Sequence, residues 1–321
     1  MRSTRGLSLV LGLAMLVGCG MGPEEKPVPV VGIVNANPAM GKAVAGFREE
    51  FGREQPGAGR GVRFVDPGQL AGPEQVDAAL REMVAGKVDL VFVTSTPTAL
   101  QAKEVLAGRD VPVVFAPVFN VLASGLMENP MRPGGFMTGI QGGGHAGKAL
   151  EWHLRAVPHA RRLLVPLLPA DPSAQQCLAE LQDAAFPLGV ELLVREIQDE
   201  TQLRSVSDGL PGDIDALWLL NSPKLIRLVK LFTEVAIAQG WVLSSATSQV
   251  EGGVMVSFGQ DLTETGRRAG RLARRILEGV PPAQIPVEPA EYRLGINLGT
   301  ARAAGVTIAD EVLRQADIIV Q

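Results

Sequence analysis

Short runs of aliphatic side chains with no polar break most constrain how this chain can fold. Val30-Val31-Gly32-Ile33-Val34 and Ala216-Leu217-Trp218-Leu219-Leu220 are two of them. A run this short and this uniformly apolar predicts a strand buried on both faces, as in a parallel sheet covered by helices. Further strands are predicted at Val62 to Val65, Asp89 to Val93, Pro112 to Ala116 and Phe136 to Ile140. Amphipathic segments lie between them. Val44, Phe47 and Phe51 recur at helical spacing, and Pro73 to Ala85 places Val76, Leu80 and Val84 on one face before Gly86 closes it. Asn37-Pro38, Thr96-Pro97 and Ser222-Pro223 each offer a capping side chain followed by proline at the first helical position.

The alternation then restarts. Helices are predicted at Ala146 to Ala156, Pro172 to Pro187 and from Pro223 through Val235 to Gly240, with strands at Arg162 to Leu168, Val190 to Arg195, Ala216 to Leu220 and Trp241 to Leu243. Two such series predict an α/β protein of two doubly wound parallel-sheet lobes. The tail adds a strand at Val254 to Phe258, a helix at Thr263 to Glu278, an extended segment at Tyr292 to Asn297 and a last helix and strand. These are too few for a third domain, so the chain is expected to cross between the lobes more than once. The expected division is lobe 1 from 30–140 plus 258–283, and lobe 2 from 141–257 plus 284–321.

Residues 1–18 read as an export leader: Arg2 and Arg5, then an apolar run from Leu7 to Val17. That run is shorter than the roughly 20 residues a membrane span needs. Leu16-Val17-Gly18-Cys19 resembles the lipobox of bacterial lipoproteins, which implies lipidation and cleavage at Cys19; an ordinary cleaved leader containing a cysteine is the alternative. Residues 19–29, with Pro23, Pro27 and Pro29, read as a tether. Without the leader the chain keeps 28 basic against 34 acidic residues, a formal charge of about −6. That balance argues against a nucleic-acid partner, which needs a clustered basic face. Cys177 is then the one free thiol, expected to pack as a small hydrophobe.

The C-terminal third carries a more specific pattern. Glu251-Gly252-Gly253-Val254-Met255-Val256-Ser257-Phe258-Gly259 precedes Asp261-Leu262, Gly266-Arg267 and a helix to Ile276-Leu277-Glu278-Gly279. Ile285-Pro286-Val287-Glu288, Ile296-Asn297-Leu298, Thr300-Ala301 and Gly305-Val306-Thr307-Ile308 follow. With Pro38-Ala39, Gly46-Phe47, Pro112-Val113-Val114-Phe115, Gly125-Leu126 and Arg132-Pro133-Gly134-Gly135, this resembles the ABC-transporter substrate-binding lipoproteins of the tryptophan and tyrosine type. The resemblance implies a type I periplasmic-binding fold with three inter-lobe crossovers, an ABC permease as partner and no catalytic activity. The chain departs from that family's pattern where Asn120-Val121 replaces an Asp-Pro pair, where Asn221-Ser222 replaces an aspartate, and where Leu168 and Ala174 replace asparagine and serine. Each lost carboxylate removes a counter-charge for an ammonium group.

In open parallel sheets ligands bind beyond the carboxyl ends of the strands. The candidate contacts there are Asn35, Asn37, Thr94, Ser95, Thr96, Phe119, Asn120, Asn221, Ser222 and Ser245. Asn37, Thr96 and Ser222 read first as helix caps; Phe119 could stack on a ligand or pack in a core. His145, His153 and His159 lack the i, i+4 spacing and the acidic company of a metal site, so no metal or other cofactor is expected. Gly142-Gly143-Gly144 lacks the lysine and hydroxyl of a phosphate loop and reads as a linker at a lobe crossing; Gly57 to Gly61 is glycine-rich in the wrong order for a nucleotide. No Gly-x-Ser-x-Gly elbow occurs, and Cys177 falls within a helix. The expected function is that of a monomeric, lipid-anchored extracytoplasmic protein that captures a small molecule by hinge closure for an ABC importer. The alternative is a ligand-sensing lipoprotein of the same fold that reports to a membrane signalling partner.

Overall fold

The computed structural model describes residues 27–52, 61–210 and 212–321. The expected leader, Cys19 and most of the Gly57 to Gly61 stretch lie outside them. β1 (Val30–Val34) leads through a 3-10 turn at Pro38–Met40 into α1 (Gly41–Gly52), followed by β2 (Arg63–Val65), α2 (Pro73–Ala85), β3 (Leu90–Val93), α3 (Thr96–Val105), β4 (Val113–Val118) and β5 (Met137–Gln141). The second series is α4 (Ala146–Ala156), β6 (Arg162–Leu167), α5 (Pro172–Leu188), β7 (Glu191–Glu196), α6 (Glu200–Arg204), β8 (Ala216–Leu219), α7 (Pro223–Ile226), α8 (Val229–Gln239), β9 (Val242–Ser245) and β10 (Val256–Gln260). The tail holds α9 (Leu262–Leu277), β11 (Glu288–Pro289), β12 (Tyr292–Asn297), α10 (Leu298–Ala303), α11 (Asp310–Leu313) and β13 (Ile318–Val320).

These strands form two sheets. The first has the order β11-β5-β4-β3-β1-β2 with every pair parallel. The second has the order β13-β12-β10-β9-β8-β6-β7, in which only β10 and β12 run antiparallel. The apolar runs are apolar because both faces are covered. In the first lobe Val31, Ile33, Phe92 and Val114 pack with Phe47, Ala269 and Ala273 of α1 and α9. Val34, Val91, Val93 and Phe115 pack with Val76, Leu80, Ala99 and Ala102 of α2 and α3 on the other side. Each such fully buried aliphatic side chain contributes roughly 2 kcal/mol against exposure to water.

α9 enters the first lobe against α1 by close backbone approach. A Cβ on Gly266 would run into the Ala43 carbonyl, and one on Gly46 into that of Thr263. Two boundaries therefore differ from those expected. β10 carries the second lobe to Gln260 rather than stopping at 257. The 284–289 stretch, expected in lobe 2, belongs to lobe 1: Ile285 is buried beside α9, the Thr138 hydroxyl donates to its carbonyl at 2.7 Å, and β11 pairs with β5. A two-residue strand ending in proline has no apolar run to announce it. The single long helix expected after Ser222 is also broken, into α7 and α8, around Arg227 and Leu228.

The chain passes between the lobes near Gln141, Gln260 and Ala290, and the three crossings are tied together. Ala290 N–H donates to Gln141 O at 2.7 Å and Asp261 N–H to Glu291 O at 2.9 Å. Arg293 pairs with Asp261 at 2.8 Å. The Gln260 side-chain amide lies against Gly142, so a side chain there would have to displace it.

Candidate ligand-binding cleft

A cleft of about 640 Å³ opens between the lobes at the carboxyl ends of their strands. Lobe 1 contributes Asn37 and Met40, the start of α3 (Ser95 to Pro97, with Leu100), and Pro117, Phe119, Asn120, Ala123 and Ser124 after β4. Gly142 and Gln260 line it at the crossings. Lobe 2 contributes His145, Ser173, Gln176, Cys177 and Asn221. Six of the ten residues expected from sequence are thus brought together: Asn37, Ser95, Thr96, Phe119, Asn120 and Asn221.

In lobe 1 the polar oxygens of this wall are already committed to the protein's own backbone. Asn37 Oδ1 accepts from Ala39 N–H at 3.0 Å, the capping role expected of it. Asn120 Oδ1 accepts from the N–H groups of Leu122 and Ala123 at 3.1 and 3.0 Å. Because an N–H must meet an oxygen, both amides leave their NH₂ donors over. Thr96 does not cap α3. Its hydroxyl accepts from Phe119 N–H at 3.1 Å, which fixes the loop after β4. The cap position belongs to Ser95, held at φ +67°, whose hydroxyl lies 3.2 Å from that of Thr98 instead of on a helix N–H. A non-glycine residue in this backbone region stores strain that its surroundings must hold.

Asn35 and Thr94 lie behind this wall. Thr94 is fully buried and donates to Asn35 Oδ1 at 2.7 Å, and the same oxygen accepts from Asn37 N–H at 3.1 Å. They brace the ends of β1 and β3, because a buried hydroxyl and amide satisfy each other more cheaply than they face an open cleft. Ser222 and Ser245 are likewise drawn inward in lobe 2. Ser222 accepts from Leu225 N–H at 3.4 Å and donates to Asp171, the residue that caps α5 through Ser173 N–H. Ser245 donates to Leu219 O at 2.7 Å.

The lobe 2 wall contains residues that sequence reasoning missed. Ser173, Gln176 and Cys177 line the cleft from one face of α5, and Glu180 follows at the same three- and four-residue spacing just outside it. Their recurrence along one face of the helix was the available signal. Cys177 donates its thiol to Asn221 O at 3.3 Å, and burial, with Glu180 nearby, pushes its pKa up to about 11. It stays a neutral thiol rather than a nucleophile. His145 precedes α4, with Nε2 2.8 Å from Ala246 O and its ring 4.4 Å from that of Tyr292. Burial lowers its pKa. None of the described residues lining the cleft therefore carries a formal charge.

A small recess of about 10 Å³ adjoins the cleft at lobe 2, sharing Phe119, His145, Cys177 and Asn221 with it and adding Glu180 and Trp218. Burial raises the Glu180 pKa, the Gly144 N–H opposes that, and Asp183 adds to it. His153 lies elsewhere, fully buried in lobe 2 between Ser244 Oγ at 2.7 Å and Ala160 O at 2.6 Å. The described residues contain no group of three or more histidine, cysteine or acidic side chains placed to hold a metal ion.

Comparison with known proteins agrees with this architecture. A curated relative, the tyrosine-binding protein of Clostridioides difficile strain R20291, is 24% identical over 310 residues, covering 92% of this chain and 89% of that protein. Among solved structures, a ligand-free, open substrate-binding protein with adhesive properties from Clostridium difficile superposes with a TM-score of 0.77 at 20% identity, over 92% of this chain and 100% of that one. A Streptococcus pneumonia protein in complex with L-Trp does so with a TM-score of 0.72 at 19% identity, with the same two coverages. These likenesses give the type I periplasmic-binding fold. Residues 28–320 match the family described as ABC transporter substrate binding protein, and with nearly the whole described chain inside that match, the protein belongs to this family of substrate-binding proteins rather than to a family of enzymes.

Proposed function

We propose that this protein captures a small polar or aromatic molecule between its lobes by closing about the three crossings and delivers it to the permease of an ABC importer. The observation that carries the reading is the cleft itself. It lies where two largely parallel sheets present their carboxyl ends, and its lobe 2 wall keeps His145 Nδ1 unpaired. The relatives named for tyrosine and found with L-Trp make an amino acid or a molecule of similar size the first ligand to try. Among the described residues no helix is long and apolar enough to cross a membrane. The proposed address is extracytoplasmic, with lipidated Cys19 and residues 19–29 tethering a monomeric body at the membrane surface.

Thermal unfolding against amino acids, nucleosides, sugars and short acids tests the reading. A ligand at 100 times its Kd adds about 2.7 kcal/mol to stability, and absence of any stabilising compound refutes capture. The tether is tested separately: Cys19→Ala is expected to release the protein from the membrane fraction, and continued membrane association refutes lipidation there.

A further inference from the structure

The recess beside the cleft has a lining that fits one chemical group. Its volume of about 10 Å³ admits a single water-sized body. Three hydrogen-bond acceptors line it from three elements. Glu180 on α5 brings a carboxylate and Asn221 after β8 an amide, both residues being part of the lining. The third is Nδ1 of His145. Its Nε2 faces the Ala246 carbonyl, which can only accept, so Nε2 carries the proton and Nδ1 keeps its lone pair. That Nδ1 is buried with no hydrogen-bond partner. The remaining walls include the aromatic side chains of Trp218 and Phe119.

Glu180 is the odd member of this set. Its carboxyl is half-buried, and the groups acting on it are the Gly144 N–H and the like charge of Asp183, with no cation among them. A carboxylate drawn from water without a counter-charge is costly, and a cation brought to it recovers that cost. An ammonium group has three donors, no acceptor and the size of a water molecule, and it is attracted to aromatic faces.

We infer that the recess is the receptor for a primary ammonium group of the ligand and that Glu180 supplies its counter-charge, so that α5, and not a strand end, selects for amines. This rests on the reading of the cleft as the capture site. It also accounts for a cleft that has no charged lining residue of its own.

The test uses matched probes on the full mature protein, read by thermal shift and by tryptophan emission, since Trp218 lines the recess. L-tyrosine, L-tryptophan, L-leucine and tryptamine are each compared with the counterpart bearing hydrogen in place of the amine. Amines are expected to bind and their counterparts to bind about tenfold or more weakly. Glu180→Gln is expected to weaken the amines by a similar factor, leave the amine-free probes within about twofold, and keep the ligand-free melting temperature, with Glu180→Asp restoring part of the preference. Equal binding of amines and counterparts overturns the assignment while leaving capture standing, and the wild-type comparison decides this even if Glu180→Gln fails to fold. Loss of all probes alike in Glu180→Gln overturns it as well. Binding of none of these probes, together with no hit in the wider ligand screen, overturns both readings.

Discussion

The two walls of the cleft use their polar groups in opposite ways. On the lobe 1 wall, Asn37, Thr96 and Asn120 spend their oxygens on backbone N–H groups of the same lobe, so the wall is preformed and its spare capacity is in donors. On the lobe 2 side, His145 keeps a bare acceptor, and Glu180 in the adjoining recess has no cation among the groups acting on it. Rigid positioning and unsatisfied chemistry are thus divided between lobes. On the proposed reading the difference assigns discrimination among ligands to lobe 2, whereas lobe 1 supplies a shaped, aromatic-bearing cover through Phe119.

The chain provides lobe-specific reporters for testing this division. All three tryptophans (Trp152, Trp218, Trp241) and all three histidines belong to lobe 2. The largest expected effect comes from Gly266→Leu, which forces a side chain into the α1 backbone at Ala43. It should cost lobe 1 about 3 kcal/mol. Urea unfolding followed by circular dichroism should then show an early phase that tryptophan emission does not. A single coincident transition would mean that the lobes unfold as one unit.

Acid should act on the other side. His153 has its pKa lowered to about 4 in the folded protein, by burial above all, from an ordinary 6.5. As pH falls the unfolded chain takes up the proton first, so stability present above 6.5 is lost progressively toward 4. Between neutral pH and about pH 5 the loss should be about 2 kcal/mol. His145 is shifted in the same direction. The urea midpoint by tryptophan emission should drop accordingly, and His153→Gln should flatten the dependence. An unchanged midpoint would rule out a neutral buried His153.

The smallest effect discriminates most finely between the walls. Asn221→Ala should weaken an amine ligand by about tenfold, and Asn120→Ala by about twofold, since the Asn120 oxygen is spent on its own turn. Isothermal titration on both variants measures this. A larger loss at Asn120 would reverse the assignment of discrimination to lobe 2.

The architecture was legible because uninterrupted aliphatic strands and proline-headed helices are local signals, and they place the strand ends where a ligand can bind. The site was only partly legible. Asn35, Thr94, Ser222 and Ser245 have the right chemistry at the right ends, yet whether such a group faces the cleft or a buried neighbour depends on partners distant in sequence: Thr94 for Asn35, Asp171 for Ser222, Leu219 for Ser245. Gln176, Cys177 and Glu180 were hidden for the opposite reason. They lie mid-helix, where polar residues ordinarily face water, and only the docking of lobe 1 turns that face into a wall. The 284–289 stretch carries no periodicity and is placed by partners distant in sequence: the core beside α9 for Ile285, the Thr138 hydroxyl, the Pro130 carbonyl and a short pairing with β5.

The tied crossings set the order in which the chain can become compact. The lobe 1 core waits for α9 and Ile285, and the lobe 2 sheet waits for β12 and β13, which follow them in the chain. The lobe 1 core thus closes only after the body of lobe 2 has been made, and the lobe 2 sheet only after the chain has left it again for α9 and β11. A polypeptide whose lobes stay unsealed while the other is being made can still be threaded through a narrow pore, so the interleaved topology itself suits a chain that has to leave the compartment in which it is made.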